Sequence, residues 1–209
     1  MNNFFVKIFI AIHCSLFIVH CSFADDCLSY KINTNVKIIV PEFSVQTVQP
    51  AQPMDLLHGN VISTLSENYE LGAESAEVPG GFCVYLKSVS GTIGYSDFLV
   101  QIDSRHRPGS CGYDMTRAHE QEHIDAHLSV IKDYQDKIAA AIGAAADSVM
   151  PVFVRTAADQ DAALDELNKK IQTHPDVVLL KQKIAAEEEI RNKRIDQNDP
   201  GKRISECTR

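Results

Sequence analysis

The stretch Ala118-His119-Glu120-Gln121-Glu122-His123-Ile124-Asp125-Ala126-His127 holds the residues of this chain best suited to chemistry. His119 and His123 are four positions apart, so on a helix both imidazoles leave one face about one turn from each other, the separation that two ligands of a single Zn²⁺ require. Glu120 falls beside such a metal rather than on it. From there its carboxylate can take a proton from a water that the metal activates for attack on a carbonyl, which is hydrolase chemistry. Spacing alone leaves the third ligand open. His127 has the right side chain but lies two turns from His119, roughly 12 Å along the axis, too far for one metal to take all three imidazoles without distortion. If the chain turns near Pro151 and runs back antiparallel, His174 and Asp176 come level with His123. If the returning arm kinks, Asp196 near its end is a further candidate. Less specific roles stand beside these: a core-edge histidine for His127, and a residue next to a helix cap for His174.

The order His-Glu-x-x-His over 119–123 resembles the active-site helix of the zincin superfamily of metallopeptidases, and the chain is similar to a small bacterial family of secreted zinc-dependent proteases. The resemblance covers that helix strictly and, more loosely, the layout of an exported chain with strands before the helix and helices after it. It implies Zn²⁺ as cofactor, His119 and His123 as metal ligands, Glu120 as general base, and a peptide, a protein or a cell-wall peptide as substrate. Two branches of the superfamily do not fit. Ala126 and Ser129 stand where a metzincin carries a glycine and a third histidine, and no Asn-Glu-x-x-x-Asp segment follows to supply the glutamate ligand of thermolysin-like enzymes. Glu122 also departs from the uncharged residues usual between the motif's glutamate and its second histidine. A wall-peptide amidase would use the same site, whereas a non-catalytic helical envelope or interaction protein would need no metal at all.

These side chains need a long helix to carry them. From Met115 to about Asp147 there is no proline, and His119, His123, Ala126, His127, Val130, Tyr134, Ile138, Ala141, Ile142 and Ala145 recur at helical spacing on one face. Pro108-Gly109 precedes this helix and Pro151 ends it. Phe153 to Ile171 reads as a second helix. Thr173-His174-Pro175-Asp176 reads as an N-cap with proline at the second helical position, opening a third over Val177–Ile195. Upstream, Tyr30–Val40 alternates loosely, Asp55–Tyr69 carries Leu56, Leu57, Ile62 and Leu65 as in a short helix, and Phe82–Val89 and Thr92–Ile102 read as strands turning at Ser90-Gly91. The fold class expected is α+β: N-terminal strands with a hairpin, the long His-Glu-x-x-His helix, then a C-terminal helical hairpin. Tyr113, His106 and Arg105 precede or open the long helix where an oxyanion would be polarised, and Leu99-Val100-Gln101 would offer an edge for an extended substrate. Glu187-Glu188-Glu189 reads as a solvated face.

Composition sets the context. With 209 residues the chain has room for one domain and a short extension, and 44% hydrophobic against 23% charged residues is the balance of a globular protein. A net charge of -8 argues against nucleic acid as a partner, since phosphates demand clustered Lys and Arg. Residues 1–24 read as a signal peptide: Lys7 is followed by an apolar run over Ile8–Val19 and by Ser22-Phe23-Ala24, with cleavage expected after Ala24. That run is short for a bilayer span, so no membrane span is expected after cleavage and residues 25–209 are expected to form a single secreted or periplasmic domain. Cys27, Cys83, Cys111 and Cys207 remain, an even number suited to two disulfides in an oxidising compartment. Three pairings exist, and Cys27–Cys83 with Cys111–Cys207 is the one expected, each bridge closing one half of the chain.

Overall fold

Residues 27–54, 58–197 and 207 are described by the computed structural model. The expected signal peptide and its cleavage site lie outside them. Five strands, β1 (Asn35–Ile39), β2 (Ser44–Val48), β3 (Gly59–Val78), β4 (Gly81–Ile102) and β5 (Val152–Val154), combine with three helices, α1 (Cys111–Ser148), α2 (Gln160–Gln172) and α3 (Pro175–Asp196). The class is α+β as expected, but the strands are arranged differently from the sequence reading.

β3 begins within the segment expected to be helical. Along it Val61, Ser63, Leu65, Glu67, Tyr69 and Leu71 are partly covered, while Ile62, Thr64, Ser66, Asn68 and Glu70 face solvent. The period is therefore two, and the helix-like placing of Ile62 and Leu65 came from counting apolar residues without Tyr69 and Leu71. The expected turn at Ser90-Gly91 is also displaced. β4 runs unbroken through it, and the hairpin closes at Pro79-Gly80, where Gly80 takes φ 86° at no steric cost. β4 is the strand on which each of the other four pairs.

The described chain divides into two compact units. In the first (residues 27–36, 71–89 and 142–174), β5 pairs antiparallel with β4 through Phe82↔Val154, Cys83↔Phe153 and Val84↔Val152. Val152-Phe153-Val154 is thus strand rather than the start of a helix, as suits a run of β-branched and aromatic residues. A capping box between Thr156 and Asp159 then opens a short 3-10 turn over Ala157–Asp159, and α2 follows, burying Ala163, Leu167 and Ile171. Cys27–Cys83 lies in this unit.

In the second unit (residues 37–54, 58–70, 90–141, 175–197 and 207), β2 pairs parallel with β4 in the register Ser44↔Asp97 to Val48↔Gln101. Leu99-Val100-Gln101 is consequently already hydrogen-bonded to Gln46–Val48 and does not offer a substrate the open edge that was expected. Here α1 starts at Cys111. Ser110 Oγ accepts from the Tyr113 N–H at 3.3 Å, an N-cap contact. Ile124, Ala126, Val130, Ile131 and Ile138 are buried along α1 and Val177 and Ile184 along α3, which begins at Pro175, so the proline is the first helical residue rather than the second. Cys111–Cys207 bridges the start of α1 to the tail beyond α3, with Met115 packed against the sulfurs. Both expected disulfides are therefore present. In the chain-entropy account, loops with sequence separations of 56 and 96 residues stabilise by about 4 to 5 kcal/mol each. Two bridges fit an oxidising, extracytoplasmic compartment. Among the described residues no helix is long and apolar enough to cross a membrane.

Candidate metal centre

α1 carries His119, His123 and His127 at i, i+4 and i+8, and α3 carries Glu188, Asn192 and Asp196 at the same spacing. Both triplets therefore form a stripe along one face of their helix. The contacts pair the stripes in reverse order: Asp196 meets His119 and His123, Asn192 meets His123 and His127, and Glu188 meets His127. α1 and α3 are thus antiparallel at this point.

At the Asp196 end three donor atoms converge. His119 Nε2 and His123 Nε2 are 3.2 Å apart, with ring planes at 87°. Asp196 Oδ1 is 3.2 Å from His123 Nε2 and 3.7 Å from His119 Nε2. Two imidazole lone pairs and a carboxylate oxygen repel one another unless a proton or a cation lies between them. His119, His123 and Asp196 form a group able to hold a metal ion. The two imidazole side chains are 13% exposed and the Asp196 side chain 63%, so the group opens to solvent on the Asp196 side.

Glu120 is 4% exposed and sits in a buried stripe with Gly112, Thr116 and Ile124. Its carboxyl rests against Gly59, the first residue of β3, where a Cβ would come within 2.5 Å of Glu120 Oε1 and of Thr116 Cγ2; only glycine leaves room for it. Burial first, and then the Asp196 charge, push the Glu120 carboxyl up to about 7. A cation held by the neighbouring group would draw it down again.

Of the four residues considered for the third position, Asp196 is the one in the group. His174 and Asp176 stand at the opposite end of α3, about 30 Å away along the helix axis. The turn at Pro151 leads into β5 and α2 rather than straight into the returning arm, and the contacts of Asp196 put the C-terminal end of α3 against the histidines. His127 is half-buried beside Tyr95 and Phe98. Its Nδ1 is shielded from solvent, 3.5 Å from Glu188 Oε1 but outside hydrogen-bond geometry, and its Nε2 is 3.4 Å from Asn192 Nδ2.

Asn192 and Glu188 were missed in the sequence. Asn192 Oδ1 lies 2.9 Å from His123 Nδ1. The Glu188 side chain, 14% exposed, accepts a 2.6 Å bond from the Tyr95 hydroxyl and so does not belong to a solvated face, although Glu187 and Glu189 pair outward with Arg191 and Lys193. Burial and the bond to Glu188 raise the Tyr95 phenol, which keeps it a donor. The visible signal was the matched spacing Glu188-x-x-x-Asn192-x-x-x-Asp196, a repeat of the spacing in the histidine stripe.

The residues expected to polarise an oxyanion are otherwise engaged. Arg105 donates through Nε and Nη2 to the Asp103 carboxylate and through Nη2 to the Met54 carbonyl, and His106 Nε2 lies 2.9 Å from His58 Nδ1. Tyr113 is half-buried in the first turn of α1, and its backbone N–H is taken by Ser110. No protein-family model, curated protein or solved structure matches this chain.

Proposed function

We propose that this protein is an exported zinc-dependent metallohydrolase that cleaves peptide bonds, with His119, His123 and Asp196 as the zinc ligands and Glu120 as general base. The observation that carries the proposal is the spacing of the three donor atoms, 3.2, 3.2 and 3.7 Å. Atoms about 2.0–2.1 Å from a tetrahedral zinc lie about 3.3–3.4 Å from one another, so the group is already near coordination geometry. Two imidazoles and one carboxylate are also the donor set of catalytic zinc sites, which keep a further position open.

Zinc bound there supplies Lewis acidity toward the scissile carbonyl and acidifies a water. The chain's own residues do the rest. Glu120 accepts one proton from the attacking water as the new C–O bond forms. It then delivers that proton to the amide nitrogen as the C–N bond breaks, leaving a carboxylic acid and an amine. Burial against Gly59 limits the rotamers open to the Glu120 carboxyl, which favours a fixed direction for this transfer.

The test pairs metal analysis of the untagged protein with Glu120→Gln. Wild type and variant are expected to bring down one zinc per chain, while hydrolysis of unfolded proteins or wall peptides falls about 10²- to 10⁴-fold in the variant. Undiminished cleavage would remove Glu120 as the base. Protein free of zinc would remove the metal.

A further inference from the structure

We propose that Asn192 is a positioning residue for the metal centre: its side-chain amide holds His123 in the tautomer whose Nε2 is free to bind a cation. This inference rests on the metal reading above.

The Tyr95 hydroxyl donates to Glu188 Oε1 at 2.6 Å. A carboxylate can only accept, and Glu188 Oε1 lies 3.5 Å from His127 Nδ1, outside hydrogen-bond geometry but close enough for its charge to favour the proton on that water-shielded nitrogen. His127 Nε2 is then an acceptor, and it faces the Asn192 amide nitrogen at 3.4 Å. With its N–H turned to His127, Asn192 presents Oδ1 to His123 Nδ1 at 2.9 Å. A carbonyl oxygen selects a proton on Nδ1, which leaves the His123 Nε2 lone pair directed at His119 Nε2 and Asp196 Oδ1, 3.2 Å from each. The two contacts of Asn192 share one polarity, and the half-buried Glu188 carboxylate, two helical turns from Asp196, favours that polarity from beyond His127. Ligating histidines commonly have their second nitrogen fixed in this way, and loss of the fixing group typically costs 10- to 100-fold in metal affinity. Asn192 also spaces the two helices. A purely structural role would move stability without moving the tautomer.

The experiment uses the intact disulfide-bonded chain. Zinc affinity is measured by competition titration for wild type, Asn192→Leu and Asn192→Asp, and the ¹⁵N shifts of the His123 ring are recorded on the same proteins stripped of metal. Wild type and Asn192→Asp, both of which offer His123 an acceptor, are expected to show Nδ1–H and zinc affinities within a few-fold of each other. Asn192→Leu is expected to bind zinc 10- to 100-fold more weakly and to show a mixture of tautomers. Asn192→Ala removes the same acceptor without added bulk and serves if leucine is not accommodated. An unchanged zinc affinity in the leucine or alanine variant overturns the inference, as does a wild-type His123 carrying its proton on Nε2. A wild-type chain that takes up no zinc overturns the metal reading, while the tautomer comparison still decides for or against Asn192.

Discussion

Two pairs of histidines in this protein look alike at first sight. His119 and His123 bring two ring nitrogens to 3.2 Å, and His58 and His106 bring two to 2.9 Å. The first pair comes from one helix, the second from two loops 48 positions apart. What separates them is their surroundings. In the helical pair both nitrogens are Nε2, a carboxylate oxygen joins them, and Asn192 takes the far side of His123. In the loop pair Nδ1 faces Nε2, a single N–H satisfies both rings, and the nearby Asp103 carboxylate is occupied by the Met54 and Arg105 backbone N–H groups and the Arg105 guanidinium. Among the described residues, His119, His123 and Asp196 are the group of three or more potential ligands that converges. Proximity of two imidazoles is therefore an ordinary hydrogen bond until a third donor meets them and a supporting group fixes their protons.

The sharpest way to break this contrast is to delete one member of each pair. His123→Ala or Asp196→Ala is expected to lower zinc affinity by more than roughly 100-fold, beyond the loss of a supporting group. His58→Ala is expected to leave stoichiometry and affinity as in wild type, both read by equilibrium titration. Zinc lost equally from His58→Ala would mean that the loop pair belongs to the centre.

A smaller effect is expected at Asp103, the hub of the loop pair. Its side chain is fully buried, and the Arg105 guanidinium, with the backbone N–H groups of Arg105 and Met54, holds its carboxyl well below the usual carboxylate range. A depressed value means that the ionised form is favoured by folding, so this stabilisation is complete above about pH 4 and is lost as the pH falls below that. Asp103→Asn is expected to cost on the order of 1–3 kcal/mol at neutral pH and to flatten the acid limb of stability, measured by urea unfolding from pH 2 to 7. A variant as stable as wild type would show that the hub does not hold the loop.

The smallest effect concerns His106, which burial and the neighbouring His58 hold below the ordinary histidine value. Protonation is then penalised in the folded state, so stability is present above about pH 6.5 and declines as the pH falls beneath it. His106→Gln is expected to remove that shallow slope without affecting zinc, and a slope that persists in the variant would place its origin elsewhere.

Some of this was legible in the residues and some was not, for definite reasons. The α1 face was readable because helical periodicity is local: Ala126, Val130, Ile138, Ile142 and Ala145 are buried as their spacing implied. The strands were harder. Ser90-Gly91 carries a turn dipeptide yet lies inside β4, because Pro79-Gly80 offers a stronger turn and β3 continues to pair along the strand. The extent of β3 was obscured because Ile62 and Leu65 match a helical period as well as a strand's until Tyr69 and Leu71 are added.

By itself the sequence determined that His119 and His123 share a helix face with Glu120 beside them, and that four cysteines would pair, since backbone geometry and cysteine chemistry act over a turn of helix or through residue type alone. Only the tertiary structure decided which carboxylate meets those imidazoles. That choice depends on which end of α3 meets the histidine end of α1, a pairing of residues about 70 positions apart that no local spacing encodes. Asp196, Asn192 and Glu188 acquire their partners in the same step, because an antiparallel pair of helices aligns two four-residue spacings written far apart in the chain.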